Sequence, residues 1–131
     1  MKNFSKLIYP DLSYKITGVL FAVHNELGRF CNEKQYADAI ERYLEKLKMK
    51  YERERVLPPS FEEELKGRNR IDFLIDDKVI LEVKTKRLLI RDDYYQVKRY
   101  LLALNKKLGL LVNFRDKYIR PKRILNSLIS E

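Results

Sequence analysis

Apolar residues recur at helical spacing in the first third of the chain and then give way to short, strand-length runs. From about Leu12 to Leu27 the positions Ile16, Val19, Leu20, Val23 and Leu27 fall on one helical face. Gly28 follows at once, the usual place for a C-terminal cap. A second helix is predicted from Asn32, a good N-cap, to about Lys48, with Tyr36, Ile40, Tyr43, Leu44 and Leu47 as its inward stripe. Glu33 continues that stripe backwards by three residues, which puts it at the edge of the buried face. An acidic residue also suits a helix first turn on electrostatic grounds alone. Tyr51–Leu57 reads as a strand, and the Pro58-Pro59 pair after it suits a sheet edge or a bend. The pattern is weakest over Ser60–Asn69, which reads as another edge segment. A third helix is predicted from about Asp92 to Asn105, with Tyr95, Val97, Tyr100, Leu101 and Leu104 partly inward. Leu108–Phe114 is a strongly apolar strand and Tyr118–Leu125 a weaker one.

Between these elements lies Arg70–Lys84, where two apolar runs meet at a polar turn and charges interrupt each run. Alternation puts Glu82 and Lys84 on one face with Ile80, and Val79, Leu81 and Val83 on the other. Apolar residues on both faces mark a strand covered on both sides, where an unpaired charge is costly. If Asp76, Asp77 and Lys78 form a three-residue loop, Ile75 pairs with Val79 and Asp72 falls opposite Glu82. Directly opposed side chains have Cβ atoms only ~5 Å apart. Two carboxylates that close repel unless a cation sits between them or one takes up a proton. A hard divalent ion prefers such an oxygen cluster. A surface hairpin with ordinary acidic residues is the plain alternative.

Composition narrows the class. At 131 residues, 45% hydrophobic and 36% charged, the sequence suits a single globular domain over 1–131. No apolar run approaches a membrane span, and Met1-Lys-Asn-Phe-Ser-Lys6 lacks a signal-peptide core. The sole cysteine, Cys31, excludes an internal disulfide and suits a reducing cytoplasm. His24 offers it no marked partnership as a nucleophile. The charge is uneven: Lys84–Arg123 holds thirteen Lys/Arg and three Asp, a net of +10, against fifteen basic and sixteen acidic groups elsewhere. A basic half containing Tyr94, Tyr95, Tyr100, Phe114 and Tyr118 fits a surface that follows a phosphate backbone, with Lys86, Arg87, Lys98, Arg99 and Tyr100 as the candidate contacts. A solvated lysine-rich face is the alternative.

The order and motifs together resemble the PD-(D/E)XK nuclease superfamily. Asp72 matches its aspartate, Glu82-Val83-Lys84 its (D/E)-x-K, and Glu33 the acidic residue of its first core helix. Ile71 stands where the proline is expected. Gln96-Val-Lys-Arg-Tyr100 is similar to the Gln-x-x-x-Tyr of one branch. Within the superfamily the likeness is to the small GxxExxY proteins, through Leu12–Gly18, Val23–Gly28, Glu33-Lys-Gln-Tyr36 and Leu108–Phe114, although Phe30 replaces the glycine of that name. The resemblance implies a restriction-endonuclease-like α/β fold, with an α-β-β-β-α-β core on a mixed central sheet and one additional N-terminal helix.

It also implies roles. Asp72, Glu82, the Val83 carbonyl and Glu33 would hold Mg²⁺ or Mn²⁺. Lys84 would position a water or offset charge, Gln96 would orient the nucleophile or a ligand, and Tyr100 would pack on the site or touch a phosphate. The expected function is metal-dependent hydrolysis of phosphodiester bonds in DNA or RNA. The alternative is a non-catalytic nucleic-acid- or partner-binding module on the same scaffold. A domain this small often needs a partner to grip a duplex, as a homodimer or within a larger repair or defence complex. No membrane partner is expected.

Overall fold

The computed structural model describes residues 7–127, so the Met1–Lys6 segment lies outside the described residues. Its elements are α1 (Pro10–Leu27), α2 (Glu33–Lys46), β1 (Tyr51–Val56), β2 (Arg70–Ile75), β3 (Val79–Lys84), α3 (Arg91–Leu104), β4 (Leu108–Asn113) and β5 (Lys122–Leu125). The strands form one sheet in the order β1-β2-β3-β4-β5. Only β3 and β4 pair in parallel, and α3 makes the crossover between them. The run α2-β1-β2-β3-α3-β4 is the expected core, α1 is the additional helix, and β5 extends the sheet.

Helix boundaries follow local chemistry. Pro10 opens α1 where its missing amide costs nothing, and Gly28 ends it at a φ of 74° that favours glycine. Asn32 caps α2 in a reciprocal box: its side chain accepts from the Gln35 amide, and Gln35 accepts from the Asn32 amide, each at 2.9 Å.

The sheet separates two apolar clusters. Ile16, Leu20 and Val23 of α1 and Tyr36, Ile40 and Leu44 of α2 pack on Phe73, Val79, Leu81 and Leu110. Val97 and Leu101 of α3 pack on Leu74, Ile80 and Leu111 on the other face. Gly109 lets α3 approach β4 closely, since a Cβ there would lie 2.5 Å from Val97 Cγ1. Among the described residues, no helix is long and apolar enough to cross a membrane.

The alternation expected for β3 holds, and Ile75 pairs with Val79. Asp76 and Asp77 both turn at φ 55°, a region that Asp enters more readily than most residues. Other expectations are corrected. Ser60–Asn69 forms turns rather than a strand: Phe61 and Leu65 are exposed, and the Glu64 carboxylate accepts from the Ser60 amide and Asn69 side chain. Leu47 and Tyr95 are exposed, because Leu47 lies past the end of α2 and Tyr95 on the outer flank of α3. The last strand is shorter than predicted, beginning only after Pro121.

Candidate metal centre

At its far end the β2–β3 hairpin changes character. The paired residues run from Ile75↔Val79 to Phe73↔Leu81, and Asp72 and Glu82 stand next in that register. Here a side chain takes over from the backbone: the Val83 amide donates to Asp72 Oδ2 at 2.7 Å. On the other flank the β1–β2 pairing skips Glu54 and Asp72, and Glu54 adopts a φ of 54°. The irregularity releases Asp72 from strict alternation. Ile71 packs with Leu74 and Ile80 toward α3, while Asp72 lines a cavity of about 300 Å³ with Glu33, Lys34 and Ala37 of α2, Arg53 and Glu54 of β1, and Val83.

Glu82 is a buried acid whose charge is poorly served by its surroundings. The residue is only 4% exposed, and its Oε1 has no hydrogen-bond partner. Burial pushes its carboxyl well above the ordinary value of 4.5, and the Asp72 carboxylate adds to the push, against a pull from Lys84. Glu33 is the first residue of α2 and is exposed as a whole, rather than tucked under the helix edge. Partial burial of its carboxyl still raises it, with Asp72 adding and Lys84 and the Thr85 amide opposing. Three acidic residues thus share one electrostatic neighbourhood.

An orphaned, buried carboxylate oxygen beside a second carboxylate fits a hard cation, which would supply the missing partner. The fit is to two ligands rather than to a cage. Among the described residues, no three or more His, Cys, Asp or Glu side chains are arranged to hold a metal ion. Glu33 would have to reach in from α2 to complete one.

Lys84 ends β3 with its Nζ donating to Gln96 Oε1 at 2.9 Å, 4.0 Å from Asp93 Oδ1. Glu82, Lys84 and Gln96 therefore meet between the sheet and α3. Tyr100 is buried on the same helix, where burial and then the Glu82 charge raise its hydroxyl. That position suits packing against the site and not contact with a phosphate backbone. Lys86 is also less available than expected, because both oxygens of Asp93 accept from its Nζ, at 2.8 and 3.0 Å. Arg87, Lys98 and Arg99 are exposed.

The roles of three residues that shape the site escape a reading of the sequence, although Tyr36 is expected on the inward stripe of α2. Asp93 is buried and accepts from the Ile90 amide at the start of α3. Burial alone would raise its carboxyl, but the Lys86 bond, the Ile90 amide and the charges of Lys86 and Lys84 outweigh it and hold it low. Its place three residues after the helix N-cap is the signal that could have found it. Asn113, at the end of β4, accepts from the Lys86 amide and donates to the Lys86 carbonyl, fixing the β3–α3 connection. No local pattern announces that. Tyr36 stacks on Phe114 with centroids 4.2 Å apart; its hydroxyl donates to the Gly28 carbonyl and accepts from the Cys31 amide. It thereby anchors the turn of α2 that carries Glu33. Cys31 is half-buried, with its thiol toward the Leu27 carbonyl.

The crystal structure of a protein designated SSO0001 has a similar fold, with a TM-score of 0.50 and 18% sequence identity. The alignment covers 94% of this chain and 79% of that one, and at this identity it speaks for the fold alone. No curated protein matches the sequence. The family model described as the PD-(D/E)XK nuclease superfamily matches residues 10–124, almost the whole described chain, and on that match the chain belongs to this superfamily.

Proposed function

We propose that the protein is a divalent-metal-dependent nuclease that hydrolyses phosphodiester bonds in DNA or RNA, working as one domain in a reducing cytoplasm. The observation that carries this reading is the buried Glu82, with an unpartnered oxygen beside Asp72 and a lysine fixed two residues away. A charge arrangement this costly is expected where chemistry requires it. Asp72, Glu82 and the Val83 carbonyl would hold Mg²⁺ or Mn²⁺, with Glu33 added from α2. When bound, the ion supplies Lewis-acid polarisation of the scissile phosphate and acidifies a water. The Gln96 carbonyl oxygen holds the Lys84 ammonium at the mouth of the acidic pair, where it offsets negative charge growing on the phosphoryl oxygens. Arg87, Lys98 and Arg99 supply exposed positive charge along the substrate path.

Purified protein should cut at least one of single-stranded DNA, duplex DNA, branched DNA or RNA with Mg²⁺ or Mn²⁺, and chelation should stop it. Lys84→Ala should lower the rate about 100-fold or more while leaving both carboxylates in place. Complete inertness of the wild type on all four substrates with both metals would defeat the enzymatic reading.

Among the described residues the acidic side chains form no three-ligand cage, which favours a second reading, a non-catalytic nucleic-acid- or partner-binding scaffold. Calorimetry with Mn²⁺ separates the two. A catalyst shows binding that disappears in Asp72→Asn and Glu82→Gln, and a scaffold shows none.

A further inference from the structure

The Gly28–Asn32 loop presents a large apolar side chain to solvent on a backbone held at both ends. Phe30 is 76% exposed. Behind it, the Tyr36 hydroxyl bridges the Gly28 carbonyl and the Cys31 amide, and the Asn32–Gln35 box locks the next turn. Two guanidinium groups lie over the ring, with Arg29 Cζ 5.0 Å and Arg115 Cζ 5.6 Å from its centroid. Both are tethered reciprocally: Arg29 Nε donates to the Arg115 carbonyl at 2.8 Å, and Arg115 Nε donates to the Arg29 carbonyl at 3.1 Å. A lone exposed phenylalanine needs no explanation. A rigidly mounted one in contact with two tethered cations is a different object. It also stands near the candidate centre, since Phe30 and Glu33 are three positions apart, at most about 11 Å of extended chain.

We infer that Phe30, with Arg29 and Arg115, is a stacking platform for an unpaired nucleobase, so that the substrate is single-stranded where it meets the α2 side of the site. This rests on the nuclease reading above and names its substrate class. An aromatic ring offers an unpaired base a π-face without reading its identity, and the adjoining guanidinium groups suit the phosphates on either side. Bases inside a duplex have no free face to give.

The test uses the full chain in chelator, so that binding is measured without cleavage. Fluorescence anisotropy is recorded with a short labelled DNA strand, the same sequence as RNA, and the DNA duplex. Phe30→Ala should weaken single-strand binding about 5- to 150-fold, with duplex binding unchanged. The chain contains no tryptophan, so Phe30→Trp places the sole indole on the platform. Its emission should be quenched by the single strands and not by the duplex. Tighter binding of either the DNA or the RNA strand supports the inference and names the sugar. Equal single-strand affinity for wild type and Phe30→Ala, or equal quenching by the duplex, overturns the platform and leaves the nuclease reading standing. Failure of the wild type to bind any of the three overturns the platform, and cleavage with Mg²⁺ or Mn²⁺ then decides the nuclease reading separately.

Discussion

Replacing Glu82 by glutamine should stabilise the metal-free protein, and increasingly so as pH rises. The substitution keeps the shape of the side chain, removes its charge and gives Asp72 an amide donor. Because burial and Asp72 raise the Glu82 carboxyl above its ordinary 4.5, the folded chain holds this proton at pH values where the unfolded chain has released it. Below 4.5 both states are protonated and the group contributes no slope. Above it, stability falls by about 1.4 kcal/mol for each pH unit over which only the folded state keeps the proton. A chain of this length unfolds with an entropy near 0.28 kcal/mol/K, so the glutamine variant should gain about 5 °C on the wild type for each such unit. The assay is a pair of thermal melts in chelator at pH steps from 4 to 8. Glu33 and other groups tilt both curves alike, and the difference isolates Glu82. Saturating Mn²⁺ should narrow the gap: at a hundredfold excess over Kd the wild type gains about 2.7 kcal/mol, or about 10 °C, which offsets about two such units, and the variant gains nothing. Melting curves that run parallel from pH 4 to 8 would refute the reasoning, since Glu82 would then be no more burdened folded than unfolded.

Asp72→Ala leaves the Val83 amide without its acceptor and should cost about 1–3 kcal/mol, lowering the melting temperature, whereas Asp72→Asn retains an acceptor oxygen and should melt closer to the wild type. Asp93→Asn should destabilise the protein by about 1 kcal/mol at pH 7. Because the Asp93 carboxyl is held below 3.8, its contribution is fully present above that pH and is lost as pH falls through the lower folded value, so the two melting curves should converge in acid. Gly109→Ala should cost about 1–3 kcal/mol in a denaturant titration, because its Cβ would collide with Val97 Cγ1 at 2.5 Å.

The hairpin was legible because its chemistry is local. Polar Asp76–Lys78 between two apolar runs defines both the turn and the register, and that register continues to Asp72 and Glu82 just beyond the last paired residues. The helices were legible through period and caps, Asn32 and Gly28 above all. Side chains whose role depends on distant backbone were not. Asn113 looks like an ordinary strand end until the Lys86 peptide is found beside it, and Lys86 looks like a free cation until Asp93 is. Periodicity also overstates burial at element ends and flanks, as at Leu47 and Tyr95, since it records direction and not what lies opposite. Tyr100 carries two readings, partly inward by helical phase and a surface contact by its basic surroundings, and it is buried.

The bond from the Val83 amide to Asp72 has a consequence for how such a protein could change over evolutionary time. A relative under no selection for cutting would still need an acceptor at position 72 to keep the two strands joined there. Selection for folding alone would then favour an aspartate or asparagine. The Lys84 ammonium is held by side chains, Gln96 and, at 4.0 Å, Asp93, and neither joins two strands. In a lineage drifting away from catalysis, the lysine should be lost first and the aspartate last. An aspartate that persists at position 72 is therefore weak testimony of activity, and the pairing of Glu82 with Lys84 is the stronger mark.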